Sequence, residues 1–254
     1  MSIKTAERNS GTLPEDNVIH HRHLIAYNEA LKVIKGNVLE IGSGEGYGIK
    51  ILAPNATSYI AVDKHATPVE TGSGNIKFFQ LSVPPLAGLE DNSFDAVVTF
   101  QVIEHIKNDR FFLQEIKRVL KPGGILVLTT PNIRMSLTRN PWHVREYTPE
   151  GITKLISATF DEFDIKGVYG NEKVMAYYEE NRRSVKKITR FDIFRLQYIL
   201  PRRLLQIPYD LANRMNRNKL MKKNTTLVEK VLTSDFFIEP ANERCFDFFV
   251  TAQK

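Results

Sequence analysis

The stretch Val38-Leu39-Glu40-Ile41-Gly42-Ser43-Gly44-Glu45-Gly46-Tyr47-Gly48 constrains this chain more than any other. A short apolar run carries an acid near its end and leads into glycines at alternate positions. Glycine lacks Cβ, so the backbone can turn tightly there and a ligand can approach the main chain itself. A glycine-rich turn between a strand and a helix is where open α/β sheets bind nucleotide-like ligands, at the carboxyl ends of their strands. The dinucleotide pattern G-x-G-x-x-G is not met, because Tyr47 stands where the third glycine belongs. The chain offers E-x-G-x-G-x-G instead. Alone, such a motif also fits a tight turn with no ligand, so the rest of the chain has to decide.

The 254 residues suffice for one large core, or a core with a modest appendage. A single cysteine, Cys245, excludes an internal disulfide and any cysteine-based zinc site. Residues 1–17 are polar, lack an apolar leader and read as a flexible N-terminal arm. No run approaches the ~20 apolar residues that a membrane-spanning helix needs. A cytoplasmic location is therefore expected. The net charge of +6 is unevenly spread: residues 181–223 hold 13 Lys or Arg against two Asp, a net +11, which leaves the remainder at −5.

Apolar residues recur at helical spacing from Val18 to Ile34, with Asp16 placed to cap that helix. His20, His21 and His23 fall in its first turn. No carboxylate or cysteine at helical spacing completes a metal site around them, so a histidine-rich lid over a pocket is the better reading. Ser58–Val62 predicts a second strand ending at Asp63, 19 residues beyond Gly44. An acid at that tip is placed to accept hydrogen bonds from both hydroxyls of a ribose. Asn75–Leu81 predicts a third strand. Phe94–Phe100 is almost continuously apolar, as expected of a central parallel strand covered on both faces. A helix over 109–120, a stop at Lys121-Pro122-Gly123-Gly124 and a fifth strand over 125–130 follow. Strands alternating with helices predict an α/β fold, a doubly wound parallel sheet.

Several motifs now stand in order: 38–48, Asp63, Asn92-Ser93-Phe94-Asp95, Ile103-Glu104-His105, and Leu120–Gly124 with its strand. Together they resemble the class I S-adenosylmethionine-dependent methyltransferases, in particular the group with ubiquinone- and menaquinone-pathway-like domains. The resemblance covers about residues 18–170 and resumes at the C-terminus. It implies a Rossmann-like seven-stranded sheet with an antiparallel terminal hairpin and S-adenosylmethionine as cofactor. It also implies roles. Glu40 and the backbone of Gly42, Ser43, Gly44 and Gly46 would cradle the methionine moiety. Asp63 would take the ribose hydroxyls, and Lys64 would flank the adenine. Phe100 and Gln101 would line the sulfonium side, closed by His105 and Ile106. Many relatives carry an aspartate after the third strand, where this chain has Gln80-Leu81-Ser82-Val83. Ser82 is the weaker substitute there.

Beyond the fifth strand, Thr148-Pro149-Glu150 makes a helix start. Trp142, His143, Arg145 and Tyr147 precede it, on a loop at the carboxyl end of the sheet. Phe160–Tyr169 and Cys245–Ala252 predict the sixth and seventh strands. The methyltransferase domain is thus expected over 18–170 and 236–254, with 171–235 a basic, partly amphipathic helical insertion interrupted by Pro201 and Pro208. Ile188, Phe191, Phe194 and Tyr198 would share one face of it. Such a segment packs its apolar side on the domain, lies on an anionic membrane, or binds a phosphate backbone.

The expected reaction is in-line methyl transfer to a small-molecule or lipid-like acceptor. A hydroxyl acceptor needs a base, and His105 and His143 are the candidates. Glu104 either steers His105 or belongs to a divalent metal site of the kind seen in some quinone-pathway relatives; no metal ligand set is assigned. The alternatives are an RNA methyltransferase using the basic insertion, and a cofactor-binding partner protein without turnover. No N-P-P-[YFW]-like motif follows the fourth strand, which disfavours methylation of base amino groups.

Overall fold

The computed structural model describes residues 13–66, 74–190, 192 and 196–254. In chain order the elements are α1 (Asn17–Ala30), β1 (Asn37–Ile41), α2 (Tyr47–Leu52), β2 (Ser58–Asp63), β3 (Ile76–Gln80), β4 (Phe94–Phe100), α3 (Asp109–Val119) and β5 (Leu120–Pro131). There follow α4 (Pro149–Ser157), β6 (Glu162–Gly170), α5 (Glu172–Thr189), α6 (Leu196–Ile199), α7 (Arg202–Lys223), α8 (Thr225–Glu229), β7 (Phe236–Pro240) and β8 (Asp247–Gln253).

One sheet runs β3-β2-β1-β4-β5-β8-β6-β7, parallel through β5 and antiparallel beyond it. Among the described residues it has eight strands, one more than expected. The extra strand, β7, joins the outer edge of β6 because Phe236 and Ile238 alternate towards the core while Phe237 and Glu239 do not. The chain order reverses between β1 and β4, so the carboxyl ends of these two strands open a crevice at the switch point.

The period-2 alternation of β1 sets the two cores. Val38 packs with Tyr27, Ile49, Leu52 and Tyr59 on the side of α1 and α2. Leu39 and Ile41 pack with Phe112, Ile116 and Ile152 on the side of α3 and α4. Glu40 therefore points into the first core, not into solvent. At the Lys121–Gly124 stop the strand does not break. Leu120 pairs with Phe94 and Ile125 with Ala96, so the intervening residues form an irregularity absorbed by Gly123 at φ +77°.

Thr148 caps α4 as expected, its Oγ1 accepting from the Gly151 amide at 3.1 Å. Asp16 does not cap α1. It accepts instead from the Arg217 guanidinium at 2.7 Å, across 201 residues of chain. The expected arm over 1–17 is thus structured at its end: Pro14–Asp16 form a helical turn and Asn17 donates to the carbonyls of Val228 and Val231. The rest of the arm, 1–12, lies outside the described residues, as do Phe191 and Phe194 of the expected apolar face. In the insertion, α7 continues through Pro208 where a break was expected; Pro201 stands just before it as its N-cap. Among the described residues no helix is long and apolar enough to cross a membrane.

Candidate active site

The turn after β1 is held by backbone bonds. Gly42 and Ser43 donate to the Val62 carbonyl, and Gly46 donates to that of Ser43 at 2.8 Å. Gly42, Gly44 and Gly46 all have positive φ, which L side chains rarely adopt. A Cβ on Gly42 would stand 2.3 Å from Val102 Cγ2, whereas one on Gly44 would meet nothing within 4 Å. The backbone at Gly44 therefore faces open space. Asp63 is bound to this turn, its Oδ2 accepting from the Gly44 amide at 2.9 Å and its Oδ1 from the His65 amide at 2.8 Å.

Glu40 is 1% exposed beneath the turn. Its two oxygens accept from the Tyr27 and Tyr59 hydroxyls at 3.0 and 2.9 Å. Burial pushes its carboxyl up to about 7, although the two hydroxyl bonds pull the other way. Gly48 makes this arrangement possible, since a Cβ there would lie 2.2 Å from Glu40 Oε1. Across the crevice, Phe100 stacks edge-on against Tyr27 at 4.6 Å, and Gln101, at φ +57°, donates to Thr129 Oγ1. Lys64 and Ser82 are exposed and Ile106 is buried. The buried hydroxyls of Ser43 and Thr99 have no partner among the described residues. Open backbone at Gly44, unanswered hydroxyls at the ends of β1 and β4, and a carboxylate at the tip of β2 fit a polar, nucleoside-bearing cofactor.

Of the histidines of α1, His20 lies beside this turn. His20 packs edge-on against Tyr47 at 5.3 Å, and burial lowers its pKa. His21 bonds Thr233 Oγ1 at 2.7 Å.

A cavity of about 210 Å³ lies at the carboxyl end of β5, between the sheet and the insertion. Arg22, Asn132, His143 and Glu146 contribute to one wall; Tyr209 and Asn213 of α7 contribute to the other. Asp247 adjoins it, 1% exposed, with Oδ2 at 3.1 Å from Arg22 Nε and the Gln101 side chain beside its carboxylate. Burial raises the Asp247 pKa, opposed by the Arg22 charge.

Both histidines expected at the site are brought together. Their rings meet edge-to-face at 4.9 Å. His143 Nδ1 lies 2.7 Å from Glu146 Oε1, and its Nε2 lies 2.8 Å from Asn140 Nδ2. A carboxylate only accepts, so Nδ1 carries the hydrogen and Nε2 is the basic nitrogen. His105 Nδ1 lies 3.1 Å from the Trp142 carbonyl. Glu104 is buried, accepts from Thr130 Oγ1 at 3.0 Å, and offers its own carbonyl to the Val144 amide. Glu104, His105 and His143 bring one candidate ligand atom each within 4.8 Å of one another, a cluster the sequence reading did not assign. The other loop residues face elsewhere. Arg145 and Tyr147 bind Asp109, while Trp142 Nε1 donates to Asp210 of α7 at 3.1 Å. Sequence reasoning missed Glu146, Arg22 and Asp247; an acid inside the apolar run 245–252 was the one signal available for the last.

An eight-stranded α/β sheet with a glycine turn at its switch point and an acid at the next strand tip defines a class I methyltransferase architecture. A family model described as a methyltransferase domain matches residues 39–128. A probable S-adenosylmethionine-dependent methyltransferase of Mycolicibacterium smegmatis is 37% identical over 174 residues, 65% of this chain and 68% of its own length. The ubiquinone biosynthesis O-methyltransferase of Dechloromonas aromatica is 28% identical over 122 residues, 45% of this chain and half of that protein. In fold, a SAM-dependent methyltransferase from Archaeoglobus fulgidus superposes with a TM-score of 0.54 at 17% identity, over 98% of this chain and 97% of that one. The chain belongs to the S-adenosylmethionine-dependent methyltransferases, and S-adenosylmethionine is its cofactor.

Proposed function

We propose that the enzyme methylates a small-molecule or lipid-like acceptor held in the cavity beside His143. The observation that carries this reading is that cavity, with a histidine–carboxylate pair in its wall, at the carboxyl end of the same sheet as the glycine turn. The resemblance of one stretch to a ubiquinone biosynthesis O-methyltransferase supports a hydroxyl as the accepting group.

When bound, the cofactor supplies an electrophilic methyl group on its sulfonium. Asp63 would hold its ribose hydroxyls and Gly44 the open side of the cradle. Ser43 and Thr99 have hydroxyls free to bind polar groups of the methionine moiety. Glu40, Gly42 and Gly46 shape the floor; Phe100, Gln101, His105 and Ile106 form the wall towards the acceptor. Lys64 and Ser82, both exposed, are left for the adenine edge. Alignment of donor and acceptor can supply much of the acceleration, since oriented reactants reach effective molarities of about 10⁵ M or more. His143 Nε2 would take the hydroxyl proton once the acceptor displaces Asn140 Nδ2 from it, while Glu146 holds the tautomer and stabilises the imidazolium that forms.

Transfer of radiolabelled methyl to the lipid and small-molecule fractions of a cell extract tests the reading. His143→Ala is expected to lower kcat by about 10²- to 10⁴-fold, with cofactor affinity unchanged. Glu146→Gln should lower it less and move the pH profile, which a merely structural role would not do. Full turnover in both His105→Ala and His143→Ala would remove the base assignment. The Glu104–His105–His143 cluster favours a second reading, in which a divalent ion binds the acceptor oxygen. Turnover that falls with chelator and returns on adding a divalent ion would select it.

A further inference from the structure

Helix α7 has its polarity inverted. In a helix packed on a soluble domain, the apolar stripe faces inward and the charges face water. Here the inward side holds Asn216, 5% exposed and bonded to Ser184 and Asn181, together with Asp210 and Arg217, which bond Trp142 and Asp16. Leu220 is the buried apolar residue of that side. The outward side carries Leu204, Ile207, Leu211 and Met215, exposed at 64, 75, 61 and 64%. At about 100° per residue these four fall within one narrow arc. Exposed Arg203 and Arg214 line one edge of that arc, Lys219 lines the other, and Lys222 extends it. The one acid in α7, Asp210, is engaged by Trp142. Packing of the apolar side on the domain, open from the sequence, is therefore not what α7 does.

We infer that this outer face of α7 docks the enzyme on an anionic lipid bilayer. Leucine, isoleucine and methionine side chains exposed to this degree fit the acyl boundary, and cations flanking them reach the headgroups with their long stems along the apolar surface. Charge complementarity selects the occupant: a cationic rim with no free acid suits an anionic surface. The same helix lines the acceptor cavity with Tyr209 and Asn213 on its inner side, so docking would set that cavity one helix width, about 10 Å, behind the lipid surface. An RNA footprint calls for exposed rings on which bases stack, and this face of α7 presents none. The inference rests on the lipid-like acceptor reading for its purpose, but binding to vesicles is read without any turnover.

The test is flotation of the full chain with phosphatidylcholine vesicles, with and without phosphatidylglycerol, over a salt series. Wild type should float with the anionic vesicles only, less so as salt rises. Leu204→Gln/Ile207→Gln/Leu211→Gln should reduce the bound fraction by about tenfold or more. Arg203→Glu/Lys219→Glu should do the same and flatten the salt dependence. These positions are exposed, so calorimetric cofactor binding should stay unchanged and report the fold. The inference is overturned if wild type does not float, or if the triple Gln variant floats as well as wild type. It is likewise overturned if that variant instead converts a dimer to a monomer, or abolishes retention of an oligoribonucleotide, without changing flotation. Methyl transfer to lipid in detergent without flotation would sink the docking alone. Flotation without labelled lipid would sink the acceptor reading alone.

Discussion

Replacing Asp63 by alanine is expected to weaken S-adenosylmethionine binding by about 10²- to 10⁴-fold, the equivalent of two hydrogen bonds to a charged acceptor at roughly 1.5–3 kcal/mol each. The side chain has two tasks in this structure. It stands at the tip of β2, where ribose hydroxyls would reach it, and its Oδ2 fastens the Gly44 amide of the turn. Alanine removes both. Asp63→Asn keeps an acceptor for the Gly44 amide and loses the charge, so it should fall between the two. Calorimetric titration with S-adenosylmethionine and S-adenosylhomocysteine measures the series. An alanine variant within threefold of wild type would remove Asp63 from the cofactor site.

Glu40→Gln should flatten the dependence of stability on pH between about 4.5 and 7. The folded carboxyl titrates near 7 against an ordinary value of 4.5, because burial disfavours its charge. A raised carboxyl means that the folded state holds the proton more tightly than the unfolded one. The associated stability is fully present below the unfolded value, declines as pH rises from there to about 7, and is absent above. At about 1.4 kcal/mol per pH unit, the span is roughly 3 kcal/mol. Glutamine has nothing to titrate, so denaturant unfolding of the variant should change less over that range. Parallel wild-type and variant curves would show that Glu40 titrates normally. Glu40→Leu is the harsher change. It leaves the Tyr27 and Tyr59 hydroxyls buried without an acceptor, at about 1–3 kcal/mol each. If Glu40 answers the cofactor's ammonium group, wild-type affinity should also rise with pH through 7, and that of the Gln variant should not.

Much of this molecule was readable before any coordinates. The glycine turn, the acid at Asp63 and the apolar run of β4 stand where expected, because backbone turns and strand periodicity are properties of neighbouring residues. The Thr148 cap was legible for the same reason. Two expectations failed for one physical cause. The eighth strand, β7, forms because Phe236 and Ile238 find a sheet edge that lies 66 or more residues away in the chain. Asp16 leaves the helix it precedes because Arg217 comes within 2.7 Å.

The site divides in the same way. The spacing from Glu40 to Asp63 and the alternation of strands and helices located the glycine turn and the acid at the next strand tip, since each signal is local in the chain. Only the tertiary structure decided the rest. It put Tyr27 and Tyr59 on Glu40, Glu146 behind His143, Arg22 against Asp247, and the apolar stripe of α7 towards the outside. Helical spacing shows that a stripe exists; which way it faces depends on what the opposite side can bond. Asn216, Asp210 and Arg217 found partners on α5, the loop after β5 and the turn before α1, and so turned four apolar side chains to the surface.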